Sequence, residues 1–183
     1  MSYVRAFLPW IVFALVPSAQ WQWGAPAGLL VAVAVIAQQR RTGVGLEALI
    51  METGSAVFFA VLAGVAFADP HSVAHAYSAA LSSATLALIA GASLLAGKPF
   101  TLGIAKRTTP PEVWSLKPFV RVNVVITNVW TAAFAVTAGA LAALAHAGQG
   151  HSTTATLVQA AGFVVPVLFT VRYVAAAQAK ARG

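Results

Sequence analysis

Glu52 is one of four acidic residues in a chain of 183, and it sits inside a long apolar run. Counted from the start of that run at position 46, it lies about 9 Å along a helix that rises 1.5 Å per residue. An ionised carboxylate at that depth needs a partner, and intramembrane carboxylates typify ion pathways and proton relays. Arg121, at a similar depth on a later apolar segment, is the expected partner. The other reading is a structural ion pair, or a protonated, hydrogen-bonded Glu52. Around Arg121 the spacing is regular. Asn123, Thr127 and Thr131 recur every four residues and share one helix face, while Arg121 and Asn128, seven apart, share a second. Two polar faces predict a helix buried in a bundle. They either line a small polar cavity, as transporters require near the midplane, or supply hydrogen bonds between helices, which average only about 0.6 kcal/mol in membranes.

The four histidines form the second group. His71, His75, His146 and His151 cluster in two short polar stretches, the first beside Asp69. On a helix, His71 and His75 would present both imidazoles to one side, and imidazole with carboxylate suits zinc, nickel or copper(II). The other reading is ordinary histidine in water-exposed loops. Glu47 is expected to be solvated or paired with Arg40 or Arg41. No phosphate-binding glycine loop, nucleophile elbow or pair of catalytic carboxylates is present. No catalytic residue is assigned and no cofactor is implied. With no cysteine in the chain, disulfides, thiol nucleophiles and Cys-ligated metals are excluded.

The third group is a polar stretch, 97–118, which holds Lys98, Lys106, Arg107 and Lys117. Thr109, Pro110, Pro111 and Glu112 fit a helix start, with Thr109 as N-cap, Pro110 in the first position and Glu112 closing a capping box. The short helix that follows would carry Trp114 along a membrane surface. Lys98, Lys106 and Arg107 would face anionic headgroups, each worth about 1 kcal/mol. With Phe100, Glu112 and Trp114 they form a candidate contact surface; the alternative is an ordinary basic connector.

The motifs of this stretch resemble a known family. Gly97-Lys98-Pro99-Phe100-Thr101, then Pro110-Pro111-Glu112-Val113-Trp114, then Arg121-Val122-Asn123 are similar to the central loop of the intracellular septation protein A family. Phe7-Leu8-Pro9 looks like that family's opening motif. The resemblance implies a polytopic bacterial inner-membrane protein associated with cell division and envelope maintenance. It carries no established catalytic residues.

These residues must be positioned by apolar helices. The chain is 60% hydrophobic and 8% charged, against about 25% charged in an average soluble domain, so a soluble globule could not bury its apolar surface. Six apolar segments can be drawn, at 3–18, 23–37, 46–67, 73–96, 119–145 and 155–177. The first two fall short of the usual ~17 to 25 residues and either cross with little tilt or form a re-entrant hairpin. The expected fold is an all-α, polytopic bundle of about six transmembrane helices, one integral membrane domain over 1–183. No alternating pattern of a membrane β-barrel occurs.

The net charge of +7 does not imply nucleic acid, because the cations are scattered beside apolar segments rather than gathered in one stripe. Every Lys and Arg lies on or near stretches 38–45 and 97–118 and the two termini, and the alternate stretches hold none. That partition places both termini in the cytoplasm. The first 19 residues mimic a signal peptide, but Pro17 fits a cleavage site poorly, which favours a retained anchor. Trp10, Trp21, Trp23 and Trp114 include interfacial anchors, with Trp130 deeper. Gly54, Gly64, Ala80, Ala84, Ala87 and Gly91 permit close helix approach, and Pro166 should kink the last segment.

The sequence thus points to a non-enzymatic, multi-pass inner-membrane protein acting through the lipid bilayer, membrane or cell-division proteins, or a second copy of itself. The alternative is a small transporter or channel with a polar path near Glu52 and the fifth span.

Overall fold

The computed structural model describes residues 2–17, 20–45 and 48–182. Among these residues the chain forms seven α-helices: α1 (Ser2–Leu15), α2 (Trp21–Arg41), α3 (Ile50–Ala68), α4 (Ser78–Leu95), α5 (Phe100–Lys106), α6 (Lys117–His146) and α7 (Thr153–Arg182). Helices α2, α3, α4, α6 and α7 are long and apolar enough to cross a membrane, which makes this a multi-pass membrane protein. The second apolar segment is therefore not short. Its helix has 21 residues, because Trp21, Gln22 and the polar run Gln38 to Arg41 continue the helical register beyond the apolar stretch. The third begins at Ile50 rather than at position 46.

The bundle is built from adjacent pairs. Helix α4 packs chiefly on α6, α2 on α3, α1 on α2, and α7 on α6. Small residues set the separations, as membrane helices favour. A Cβ on Gly28 would come within 2.9 Å of the Phe59 ring, and one on Gly54 within 2.6 Å of Ile89, whereas Gly64 faces open space. Helix α7 is the most loosely held and exposes Leu157, Val165, Leu168 and Val171, as acyl chains would require.

Helix α1, expected as a retained anchor and a short or re-entrant segment, contributes aromatic residues to the core. It has only 14 residues, about 21 Å at 1.5 Å per residue, yet Ala6, Phe7 and Trp10 are all buried. Phe7 stacks on Trp130 at 4.8 Å and meets Phe100, Phe134 and Phe163 edge-on. Trp10 stacks on Phe58 and donates its indole N–H to Ser55 Oγ at 2.7 Å. Such buried aromatic pairs add about 0.5–1.5 kcal/mol each beyond their area. Trp10 and Trp21 are thus core residues, while Trp23 is exposed.

Pro166 is buried within α7. Its carbonyl accepts from Thr170 Oγ1 at 2.7 Å, and that hydroxyl accepts from Trp130 Nε1 at 3.0 Å. The polar groups around the proline are therefore bonded within the protein.

Two glycines fix where the loops leave. Gly43 and Gly97 have φ of 83° and 67°, a left-handed conformation that costs other residues more. Each ends its helix in a Schellman motif: Gly43 N–H bonds Arg40 O and Val44 N–H bonds Gln39 O, with Gly97 to Leu94 and Lys98 to Ser93 repeating the pattern. These turns gather residues 42–45 and 48–49 and the 97–116 loop at one end of the bundle, hereafter the basic end. Residues 16, 17 and 20 and the 69–77 and 147–152 loops meet at the other, where the histidines lie.

Candidate functional site

Glu52 occupies the first turn of α3, where the exposed peptide N–H groups favour a negative charge. It is only 1% exposed. Its Oε1 accepts from Gln39 Nε2 of α2 at 2.9 Å and from Arg107 Nη2 at 3.1 Å. The same Arg107 nitrogen donates to Ala48 O at 2.7 Å. One guanidinium thus ties the loop after α5 to the start of α3, and Gln39 adds the end of α2.

The expected partner was wrong in two respects. Arg121 is exposed and does not reach Glu52, whereas Arg107, expected to face headgroups, has a side chain only 13% exposed and makes the ion pair. The cause is the start of α3: the helix begins four residues later than expected, so Glu52 lies in its first turn rather than about 9 Å inside a span. Arg121 stands on the first turns of a 30-residue helix, about 45 Å long, and extends beyond a hydrocarbon layer of about 30 Å.

Helix α5 brings Arg107 into place. Pro99 precedes it, Ser93 Oγ accepts the Phe100 N–H at 3.1 Å, and Phe100 and Ile104 are buried one turn apart. Thr101 is wholly buried. Its hydroxyl donates to Asn123 O at 2.9 Å and lies 2.8 Å from Thr127 Oγ1. A hydroxyl has one proton, so Thr127 must be the donor in that second bond. The face bearing Asn123, Thr127 and Thr131 is therefore turned inward and bonded: Asn123 Nδ2 donates to Phe119 O, and Thr131 Oγ1 to Thr127 O. The face bearing Arg121 and Asn128 is exposed, which corrects the expectation of burial on both sides.

The surface helix is also displaced. The helical turn after the prolines is a three-residue 3-10 turn, Pro111–Val113, with no side-chain cap. Pro110 is extended at φ −57°, ψ 144°, as a residue before proline tends to be, so it cannot begin a helix and the Thr109 cap falls out of register. Thr109 Oγ1 instead donates back to Ala105 O at 2.8 Å. Glu112 is exposed. Trp114 is half-buried, donates to Thr109 O at 2.9 Å, and lies 5.2 Å beneath Lys106 Nζ.

Two clefts border the ion pair. The larger, about 430 Å³, is lined by residues 42–45, Ala48, the first turn of α3, α5, Lys98 and Trp114, with Arg107 and Glu52 in its wall. The smaller, about 350 Å³, is lined by Arg5, Gln38, Gln39, Thr42, Val44 and Arg107. Glu47 lies outside the described residues.

At the opposite end His75 stacks on Trp21 at 5.1 Å and meets His151 at 4.6 Å. Burial and the neighbouring His75 lower the His151 pKa from its ordinary value. The 71–77 stretch is a series of turns rather than a helix, so spacing of four does not align His71 with His75. His71 is exposed and its N–H bonds Asp69 Oδ1 at 3.0 Å. Among the described residues no three His, Asp or Glu converge as metal ligands would.

Sequence reasoning missed Gln39, Thr101 and the Trp10–Ser55 and Trp130–Thr170 bonds. Only Thr101 had a signal: Phe100 and Ile104 at helical spacing after a proline mark a short apolar stripe with Thr101 beside it. No protein-family model, curated protein or solved structure matches this chain.

Proposed function

We propose that this chain is a six-span bacterial inner-membrane protein with both termini in the cytoplasm, acting without catalysis through contacts made by its basic end with lipid or with division and envelope proteins. The placement of charge supports the orientation. Arg5, Arg40, Arg41, Lys98, Lys106, Arg107, Lys117 and Arg121 lie at or near helix termini at one end, and His71, His75, His146, His151 and Asp69 fall at the other. Helix α1 would make the sixth crossing: Arg5 lines a cleft at the basic end, and Phe13 to Pro17 line one beside His151. Its shortness is tolerable because one face of it, Ala6, Phe7, Pro9 and Trp10, is packed within the protein.

The observation that carries the contact reading is the way the 97–118 loop is held. Arg107 locks it to Glu52 from within, while Lys98 stays exposed and Lys106 rides over Trp114. That is a preformed surface rather than a slack connector, and it agrees with the resemblance to the septation protein A family. A transport path has less support. Asn123 and Thr127 spend their hydrogen bonds on the protein, and Phe7, Trp130 and Phe134 fill the space between the ends.

The test is Lys98→Glu with Lys106→Glu in the bacterium that carries the protein, leaving Arg107 intact. Membrane insertion should be unchanged while septum placement or envelope integrity fails. Normal division and envelope at normal membrane abundance would overturn the reading.

A further inference from the structure

The outward face of α6 differs from the other faces turned to lipid. Asn128, Ala132, Ala135 and Gly139 are exposed on it. With Lys117 and Arg121 they fall within about 60° of one another on a helix of 3.6 residues per turn, and Val136 stands at the edge of the strip. A Cβ on Gly139 would meet nothing within 4 Å. The outward residues of α3 and α7 are large by contrast: Val57, Val61 and Phe67 on one, Leu157, Leu168 and Val171 on the other. Large side chains fill space among acyl chains, whereas Ala and Gly let a second helix come close.

The same strip continues past the end of its neighbour. Helix α4 runs antiparallel to α6, with Ala80 and Leu141 in one cluster and the Cβ position of Gly91 3.5 Å from Thr131 Cγ2. Leu95, the last residue of α4, is therefore level with residue 127 or so, and α6 continues to Lys117, about 15 Å farther at 1.5 Å per residue. On that extension the strip carries Lys117 and Arg121, both exposed, and α6 has no acidic residue.

We propose that this face of α6 docks a transmembrane helix of another protein, one with small residues along its seam and Asp or Glu just beyond the membrane on the basic side. Charge decides between this occupant and a second copy. Two copies in one membrane share an orientation, so a two-fold contact through this face would set Lys117 and Arg121 against their own equivalents, where like charges repel. A partner with carboxylates at that level turns the same two cations into attraction. Asn128, between the cations and the small residues, offers an amide that a partner can bond across the interface. The proposal rests on the contact reading only for its membrane setting, and it uses neither Lys98 nor Lys106.

The experiment measures energy transfer, in phosphatidylcholine bicelles, between the full-length protein and a synthetic transmembrane peptide with a Gly-x-x-x-Gly seam and four Glu beyond one end. A chain without cysteine takes a single dye at Ala147→Cys, on the histidine end. The Glu-ended peptide should associate about tenfold more tightly than the same peptide ending in four Lys, as two exposed ion pairs would give. Ala132→Leu with Gly139→Leu fills the strip and should abolish the association. Lys117→Glu with Arg121→Glu should reverse the preference in favour of the Lys-ended peptide, a gain that a misfolded variant could not supply. Val165→Ala with Leu168→Ala, on α7, should change nothing. Equal binding of the two peptides, or binding that survives the paired Leu variant, would overturn the site. Transfer between two labelled copies of the protein that is lost in the same Leu variant would overturn the partner in favour of a homodimer. Purified components keep the outcome independent of any division phenotype, so normal division in the Lys98 and Lys106 variant overturns the contact reading and not this face.

Discussion

The two ends of the bundle join helices with opposite chemistry. At the basic end a 20-odd-residue connection folds back into the protein and is fastened by charge, Arg107 to Glu52, with Gln39 as the third member. At the histidine end the connections are short turns held by flat rings, Trp21 on His75 and His75 against His151. The first arrangement is expensive to break, because a charge left alone in a buried site keeps its desolvation cost and loses its partner. The second is a stack whose two histidines reach the solvent, where water can take over their polar groups. The basic end should therefore behave as a rigid fixture and the histidine end as a responsive one.

Arg107→Ala should have the largest effect on that contrast. It strands Glu52, and removing one member of a buried pair costs about 3–5 kcal/mol. Arg107→Met combined with Glu52→Met removes both charges and should recover most of the loss, because apolar groups of similar volume replace such pairs at little cost. Thermal unfolding of the purified protein checks both. Equal destabilisation by the single and double variants would mean that the pair is not what fastens the loop.

A smaller effect is expected one layer deeper, where Thr101 joins α5 to α6. Thr101→Val removes the hydroxyl shared between Asn123 O and Thr127. Thr127 can then turn its proton to Asn123 O, the carbonyl four residues before it on the same helix. The net cost should be about 0.6 kcal/mol, the average for hydrogen bonds between membrane helices. A loss as large as that of Arg107→Ala would show that α5, not the ion pair, anchors the basic end.

The helical class was legible because apolar runs longer than a strand requires leave few alternatives. Helix ends were less legible, and the candidate site depends on helix ends. The run from 46 looks continuous with Ile50 to Phe67, and nothing in it says that Gly43 closes α2 or that α3 waits until Ile50. A shift of four residues was enough to move Glu52 from about 9 Å inside a span to a helix terminus and to exchange Arg121 for Arg107. The capping-box reading of Thr109 failed for a similarly local reason, since a second proline fixes the backbone of the first. The aromatic core around Phe7 and Trp130 had no local signal, because it joins residues 123 positions apart in the chain. Polar periodicity on α6 did identify the inward face, Asn123 with Thr127, but could not tell it from the outward face with Arg121 and Asn128.

The smallest effect belongs to the histidine end and is read by pH. The pKa of His151 is lowered by burial and by the like charge that His75 acquires on protonation. A base with a depressed native pKa binds fewer protons folded than unfolded, so stability rises with pH over the interval between the two values. The contribution is fully present above the unfolded value of about 6.5 and is lost as pH falls from there through the native value. Acidification should thus loosen the contact between the 69–77 and 147–152 loops while the basic end is unaffected. Titrating the His151 ring by NMR should show its midpoint below that of a free histidine. His75→Phe keeps a flat ring in the stack and removes the repelling charge, so it should raise that midpoint without abolishing the shift, because burial is the larger cause. A midpoint unmoved by His75→Phe would mean that the two rings touch without sensing each other's charge, and the histidine end would then be as fixed as the basic one.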